Sequence, residues 1–460
     1  MKKKVTAIFD IGKTNKKFFL FDKDFQEVYR EYARFEEIED EDGYPSEDLL
    51  ALQKWVVEVF DRILEDKKYK IKALNFTTYG ASFVHLDKYG NPIMPFYNYN
   101  KILDQEVIDS FYEIYGPEEE FSKTTGTSNS GMLNSGMQLY WLKYNKPKIF
   151  KKIKYSLHFP QYLSYLFTGI PVSEFTSIGC HTSLWDYDKK DYHDWVYQEK
   201  INEILAPIVS TDTSIYKNYK GKHIKIGVGI HDSSAALIPY IRSTDKSFIL
   251  VSTGTWSVTL NPFSNKNITN KETKNGCINY MRVDGSPVKS SRIYMGKQYQ
   301  IMMKKMAKHF KVFDEYHKTV RFDQAIYNDI LKDYEPIYFN DNLQETDVEL
   351  SNLPYRYFEE AFHHFMIEII QAQLDSIEMV KGNKRIKKLY VDGGFTDNDV
   401  FIQLLAHYLR DMDMRTTNSA FGTALGAAIV ISPKKLNSQF LKMNYGLKKH
   451  VPFLVSSNNR

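Results

Sequence analysis

The sequence predicts an α/β protein built as two domains, and three observations carry that reading. With 460 residues the chain exceeds the ~250–300 at which a single hydrophobic core stops growing. A strand–turn–strand pattern near the start recurs, with the same design, past the middle. In between, strand-like and helix-like periodicities alternate.

The bulk composition fits this class. A 43% hydrophobic share with 15% aromatic and 26% charged residues belongs to a folded globular chain and excludes disordered and collagen-like classes. A formal net charge of only +4 provides no global field for nucleic acid or anionic lipid. Any bound anion must be held locally. Cys180 and Cys277 are too few for a disulfide framework and lack zinc-ligand spacing, so two free thiols in a reducing compartment are expected, with one disulfide as the minor alternative. The apolar run from Val5 ends at Asp10, too short for a signal peptide, and no run reaches the ~18 residues that span a bilayer. A cytoplasmic protein is expected.

Along the chain, Val5 to Asp10 predicts a buried strand, Ile11-Gly12-Lys13-Thr14-Asn15 a tight turn and Lys17 to Asp22 the returning strand. Ser46 is expected to cap a helix carrying Leu49, Leu52, Val56, Val59 and Ile63 on one face. A strand from Ala73 to Thr78 follows. The acidic stretch Glu36 to Asp42 lacks alternating ligand spacing and is expected to be a solvated loop. Phe248 to Ser252 predicts the strand that opens the second half, Thr253-Gly254-Thr255-Trp256 its turn and Ser257 to Leu260 the return. A hairpin opening each half suggests internal duplication with a boundary near Pro239 to Lys246, giving domains 1–242 and 243–460. Toward the end come a strand Lys388 to Val391, a turn Asp392-Gly393-Gly394, a helix Asp399 to Leu409, and a small-residue helix Gly422 to Ala428. The last suits either close backbone approach or ordinary core packing.

Phosphoryl transfer needs donors around phosphate oxygens, a metal to neutralise charge and a carboxylate to take the acceptor's proton. At the first tip, Gly12 permits close approach, while Lys13, Thr14, Asn15, Lys16 and Lys17 offer donors; a plain polar turn explains the same residues. Asp10, just before them, is placed to hold Mg²⁺ through water. A second tip at Thr253, Gly254 and Thr255 makes a grip on one triphosphate more specific. Asp232 lies where a glycine-bearing strand end enters a helix, fitting both a helix cap and a general base. Gly393, Gly394 and Phe395 form a turn able to admit a flat base, with Asn398 near its edge. His231 has no second ligand at metal spacing, which favours a neutral hydrogen-bonding role.

Taken in order, Asp10-Ile11-Gly12-Lys13-Thr14, His231-Asp232, Ser252-Thr253-Gly254-Thr255-Trp256 and Asp392-Gly393-Gly394 resemble the FGGY family of carbohydrate kinases. Tyr79-Gly80-Ala81-Ser82-Phe83-Val84-His85-Leu86-Asp87 is similar to the Trp-Gly-Val-Asp-Phe-Val-Leu-Leu-Asp pattern of its rhamnulokinase- and fuculokinase-like members. The resemblance runs from Val5 to about Ile431. It implies the actin/hexokinase-like (ribonuclease H-like) ATPase fold with a cleft between domains, and ATP, Mg²⁺ and a sugar as ligands. On this likeness ATP meets Lys13 to Lys17, Thr255 and Gly394, with Gly12, Thr253, Gly254, Gly393, Phe395 and Asn398 as further candidates beside them. Asp232 is the base, Asp10 the Mg²⁺ carboxylate, and Gly80, His231 and Ser233 line the sugar site, with Ser82 a further candidate there. Neither nucleic acid nor membrane is an expected partner, and a homodimer is left open.

Departures fall at the sugar site. Ser82 replaces an Asp, and Asn98-Tyr99-Asn100 replaces Tyr-Arg-Asp. Lys17 replaces an Arg, keeping charge but losing the bidentate fork. The expected substrate is a ketose phosphorylated at its primary hydroxyl, such as L-rhamnulose or L-fuculose. The alternatives are a xylulose-like ketose, a polyol, or an inactive sugar-responsive regulator; the same fold also hosts chaperones and filament proteins.

Overall fold

In the first strand, β1 (Lys3–Ile11), all residues from Ala7 to Ile11 are buried, so both faces of this strand are covered and it lies at the centre of its sheet. It turns into β2 (Lys16–Asp22), pairing antiparallel from Val5↔Asp22 to Ile11↔Lys16. The computed structural model describes residues 2–93, 95–264, 267–339, 350–382, 385–418 and 421–453. β3 (Glu27–Ala33) extends this meander. Helix α1 (Leu49–Glu65) buries Leu49, Leu52, Val56, Val59 and Ile63, the face read from the sequence, and returns the chain to β4 (Tyr69–Thr78), parallel to β1. After a long insertion with its own aromatic core around Phe111, Tyr140 and Trp195, β5 (Ser214–Tyr219), β6 (Lys222–Gly227) and β7 (Ile230–His231) complete the sheet. The order is β5-β6-β4-β1-β2-β3, with β7 pairing the end of β4. Helix α2 (Asp232–Ser243) follows.

The second half repeats the plan. β8 (Ile249–Thr253) and β9 (Ser257–Asn261) form the second hairpin; β10 (Cys277–Met281) and β11 (Pro287–Ile293) widen it. Helices α3 (Met295–Phe310) and α4 (Phe358–Lys381) precede β12 (Lys388–Gly393), which lies parallel to β8 as β4 does to β1. Then come α5 (Asp399–Tyr408), β13 (Asp413–Thr416), α6 (Gly422–Val430) and β14 (Lys448–Lys449). The sheet order is β10-β11-β9-β8-β12-β13-β14. Hairpin plus parallel strands in the same sequence supports the duplication.

Two local expectations fail. The cap of α1 is Asp48, whose carboxylate accepts the Ala51 N–H at 2.9 Å, while Ser46 sits in a short strand and donates its hydroxyl to the Phe96 carbonyl. The acidic stretch is not simply solvated loop. Glu37–Glu39 is an exposed strand paired with Pro45–Glu47, and Asp40 is buried, 2.5 Å from the Lys101 ammonium. Among the described residues, no helix is long and apolar enough to cross a membrane.

The halves exchange helices. α6, from the second half, packs on β1 and β4. Asn75 Nδ2 donates to the Ala427 carbonyl at 2.8 Å, and Lys225 Nζ donates to the Ile431 carbonyl. α2, from the first half, reaches the second sheet: its Tyr240 ring lies 5.0 Å from that of Tyr390 and its hydroxyl bonds Thr417. α2 and α6 cross so closely that a Cβ at Gly426 would sit 1.9 Å from the Ala235 carbonyl oxygen. The small-residue pattern of α6 is thus a close-approach surface.

Candidate active site

Asp232 is the first residue of α2, and the preceding cap residue, His231, makes no side-chain cap bond. Asp232 is therefore not held as a helix cap. Its Oδ1 instead accepts three contacts: the Ser233 N–H at 2.5 Å, the Ser233 hydroxyl at 3.1 Å and His231 Nε2 at 3.1 Å. Among the described residues Oδ2 takes no hydrogen bond, and 30% of the side chain remains solvent-accessible although protein encloses the carboxyl group. Burial pushes its pKa from 3.8 up to about 6, against the lowering effect of the Ser233 bonds. The result is an anchored carboxylate with one free oxygen and a basicity suited to taking a hydroxyl proton near neutral pH.

His231 is buried and its pKa falls to about 3, so it is neutral. Its Nε2 also lies 3.0 Å from Cys180 Sγ. One nitrogen cannot give its proton to both neighbours. The carboxylate is the stronger acceptor, and a lone pair facing it would repel, so the proton belongs on Nε2, aimed at Asp232. Gly80 makes room for this arrangement: a Cβ there would meet Cys180 Sγ at 2.6 Å and His231 Cδ2 at 3.2 Å. Ser82 is 2% exposed and shares the wall of a small chamber with Gly80 and His231. Asn98 is turned inward, donating to the Pro45 carbonyl and accepting from the Asn100 N–H.

At the end of β1, Asp10 is 5% exposed. Its Oδ2 accepts the Thr423 hydroxyl at 2.9 Å and lies 3.9 Å from Lys17 Nζ. Burial raises it to about 6; Lys17 and Thr423 lower it, and the nearby Asp232 charge raises it further. The hairpin tip beyond it is braced within the protein. Gly12 N–H donates to the Asn15 carbonyl, Lys13 Nζ contacts Glu37, and Asn15 Oδ1 accepts from Arg34. Thr14 is exposed and Lys17 faces Asp10. Lys16 corrects the sequence reading: it is 3% exposed, ion-paired with buried Glu47 and bonded to the Lys13 carbonyl, so its ammonium is not offered at the tip. Tyr79 donates to the same Glu47.

In the second half a cavity of 1180 Å³ opens between the hairpin tip, α3 and the turn after β12, lined by Gly254, Thr255, Tyr299, Gly394, Phe395 and Asn398 among others. Its size suits a nucleotide. Thr253 and Gly393 lie beneath rather than in it. Thr253 donates to the Asp392 carbonyl and accepts the Phe395 N–H, while Gly393, at φ +93°, has the Thr253 carbonyl oxygen 1.9 Å from where a Cβ would stand. Asn398 caps α5 through the Phe401 N–H and donates to Tyr299 Oη, so its amide is already engaged. The second tip connects to Asp232 through Arg292, which lies 5.9 Å from the Trp256 ring and hydrogen-bonds Tyr280, whose ring is 5.5 Å from that of His231.

Three residues escaped the sequence reading: Thr423, Cys180 and Tyr280. Thr423 had a signal, being the one hydroxyl in the first turn of a helix otherwise made of small and apolar residues. Cys180 and Tyr280 come from distant segments and had none.

Profiles of the FGGY family of carbohydrate kinases match most of the chain: its N-terminal domain over residues 5–234 and the carbohydrate kinase FGGY C-terminal domain over residues 245–332. A rhamnulokinase of Halalkalibacterium halodurans is 25% identical over 194 residues, 40% of this chain and 41% of that protein. A rhamnulokinase of Bacteroides thetaiotaomicron is 24% identical over 225 residues, 46% and 44% of the two. The matched stretches thus span less than half the length of these curated relatives. Among solved structures, a carbohydrate kinase from Novosphingobium aromaticivorans superposes with TM-score 0.81 at 22% identity, covering 98% of this chain and 95% of that one. A ligand-bound xylulose kinase from Lactobacillus acidophilus gives 0.73 at 16% identity over 98% and 94%. At these identities the structural likeness speaks for the fold.

Proposed function

Because the chain belongs to the FGGY family of carbohydrate kinases, we propose that it transfers the γ-phosphoryl group of Mg-ATP to a sugar hydroxyl, with Asp232 as general base. The observation that carries this reading is the asymmetry of the Asp232 carboxylate: Oδ1 is fixed by Ser233 and His231 while Oδ2 remains open. An acceptor hydroxyl bonded to Oδ2 gives up its proton as its oxygen attacks phosphorus. The neutral imidazole steadies the carboxylate without lowering its basicity as a cation would.

Asp10 and Lys17 support the phosphate end. Among the described residues no cluster of three metal-ligating side chains exists, which fits Mg²⁺ held by phosphates and water with a single carboxylate behind it. Asp10, with Oδ1 free of any hydrogen bond among the described residues, fits that role. Bound Mg²⁺ neutralises phosphate charge. The ATP triphosphate runs between the two hairpin tips, Gly12 to Lys17 and Thr253 to Thr255, and adenosine occupies the 1180 Å³ cavity beside Gly394 and Phe395. Residues 1–242 carry the sugar site and 243–460 the adenosine site, and two buried free thiols suit a reducing cytoplasm.

The acceptor is a ketose with a primary hydroxyl, L-rhamnulose or L-fuculose, supported by the pattern Tyr79 to Asp87 and by the two curated relatives. A second reading, another ketose or a polyol, is favoured by Ser82, which puts a neutral side chain where rhamnulokinase-like sequences carry a carboxylate. Coupled ADP release over L-rhamnulose, L-fuculose, D-xylulose and glycerol tests both. A kcat/KM at least 10-fold higher for one of the first two supports the ketose proposed here, preference for another sugar supports the second reading, and no sugar-dependent ADP release defeats both.

A further inference from the structure

We propose that His158 and Ser177 fix the tautomer of His231 through one water held in the small chamber beside Gly80, and thereby aim the proton that His231 presents to Asp232. This rests on the reading of Asp232 as the base. The chamber is small, about 10 Å³, and its wall includes Gly80, Ser82, His158, Ser177 and His231. Four of these side chains are more than nine-tenths buried, Ser82 at 2%, His158 and His231 at 3% and Ser177 at 5% exposure. His158 Nδ1 and Nε2 and His231 Nδ1 lack a protein hydrogen-bond partner, and the Ser177 hydroxyl, which has the Glu174 carboxylate as a neighbour, makes no bond of good geometry to it.

An unpartnered buried polar group is costly, so such a concentration around one space calls for an occupant. A space of this size holds about one water, and a buried water needs two to four polar partners. His158, Ser177 and His231 supply three. In the ligand-free protein the chamber is too small for a sugar or an ion with its shell, so its occupant in that state is water.

The chemistry follows from the His231 ring. With its proton on Nε2, directed at Asp232 Oδ1 3.1 Å away, Nδ1 is an acceptor and requires a donor. The chamber water donates to Nδ1 and bonds His158 and Ser177 with its remaining capacity. Without it, the proton can move to Nδ1, and the Nε2 lone pair then faces the carboxylate. His158 is built to stay in place: its strand pairs it with Phe83, the Phe83 ring lies 4.3 Å away, and burial keeps it neutral, with a pKa of about 3. Ser177 is fixed by the neighbouring Glu174, which accepts its N–H, while Thr176 on the same turn accepts the His231 N–H at 3.1 Å. His158 and Ser177 are therefore positioning residues that act through His231.

The test uses ¹⁵N-histidine-labelled full-length protein, with the His231 signals assigned by comparison with H231Q. Long-range ¹H–¹⁵N correlation of the ligand-free enzyme should show the Nε2–H tautomer. In H158F, which keeps the ring but not its nitrogens, the His231 signals should move toward the Nδ1–H pattern, and kcat should fall 10-fold or more with both KM values within two-fold. H158Q, which restores a donor and an acceptor, should recover most of both. S177A, which removes only a hydroxyl, should shift the tautomer in the same direction and serves if H158F does not fold. A wild-type Nδ1–H tautomer overturns the proposal, as does an unchanged tautomer in H158F, or in S177A where H158F does not fold. A loss of activity that H158Q does not recover also overturns it. The tautomer is read without substrate, so failure of the Asp232 reading, seen as an active D232N, leaves this measurement intact and distinguishable.

Discussion

Replacing Asp232 with Asn is expected to stabilise the ligand-free protein while removing its turnover. Burial raises the carboxyl from 3.8 to about 6, and at ~1.4 kcal/mol per unit the charged form costs the fold up to about 3 kcal/mol near neutrality. Solvent reaching 30% of the side chain reduces this, giving about 1–3 kcal/mol after screening. The folded state holds the proton more tightly than the unfolded chain. Its advantage is therefore complete below pH 4, is lost as pH rises from about 4 to 6 and does not return above 6. Asn carries no charge, keeps an oxygen to accept the Ser233 N–H and escapes that loss. Calorimetry of wild type and D232N at pH 4, 5, 6 and 7.5 should show equal Tm values at the acid end and a variant about 1–3 °C more stable at pH 7.5. In coupled assays the variant should lose ~100-fold or more in kcat, while wild-type kcat/KM should rise with pH through about 6 and then level. Asp10 titrates in the same range and feels the Asp232 charge, so the acid limb belongs to the pair, and the remaining carboxyl should titrate lower in D232N. A variant no more stable than wild type at pH 7.5 would refute the desolvation argument; turnover within 10-fold of wild type would refute the base.

The two adjacent lysines of the first hairpin should separate cleanly: K17M should raise the KM for ATP or lower kcat at nearly unchanged Tm, whereas K16M leaves Glu47 buried and unpaired and should cost about 3–5 kcal/mol in urea unfolding. Equal stability of the two variants would contradict the inward orientation of Lys16. At the helix crossing, G426V forces atoms into the Ala235 backbone and should lower the denaturant midpoint by an amount equal to about 1–3 kcal/mol or more; an unchanged midpoint would mean that the crossing is loose.

What the sequence disclosed was what local chemistry decides. The hairpins were readable because apolar runs flank glycine-bearing turns, and α1 because Leu49, Leu52, Val56, Val59 and Ile63 share a helical face. Ser46 misled because two capping residues stand two apart, and the choice fell to a long-range bond between Ser46 and the Phe96 carbonyl. Lys16 and Lys17 carried an unused clue: successive strand residues face opposite sides of a sheet, so two adjacent lysines at the start of β2 cannot both reach one phosphate. The surroundings of Asp232 were partly hidden for another reason. Cys180 and Tyr280 meet its neighbour His231, and Thr423 meets Asp10, only through tertiary packing, and no periodicity along the chain encodes such a meeting.

The exchange of helices ties the two carboxylates to both halves of the chain. Gly426 of α6 and Ala235 of α2 touch at the crossing, and each is three residues past a site residue, Thr423 and Asp232. One turn of helix, ~5 Å, therefore separates the crossing from both. α6 brings its hydroxyl from the second half to Asp10 on the first sheet; α2 starts at Asp232 and ends against the second sheet. Both helices begin toward the site, so their partial positive ends favour the ionised carboxylates against the desolvation that raises their pKa. A rotation of one sheet against the other about this crossing displaces each group in proportion to its distance from it. Asp10 and Asp232 would keep their spacing in such a rotation, while the tip at Gly254 and Thr255 would swing with its half. A closure of this kind would carry a phosphate held at the second tip toward Asp232 and Asp10, the carboxylates proposed above as base and metal carboxylate.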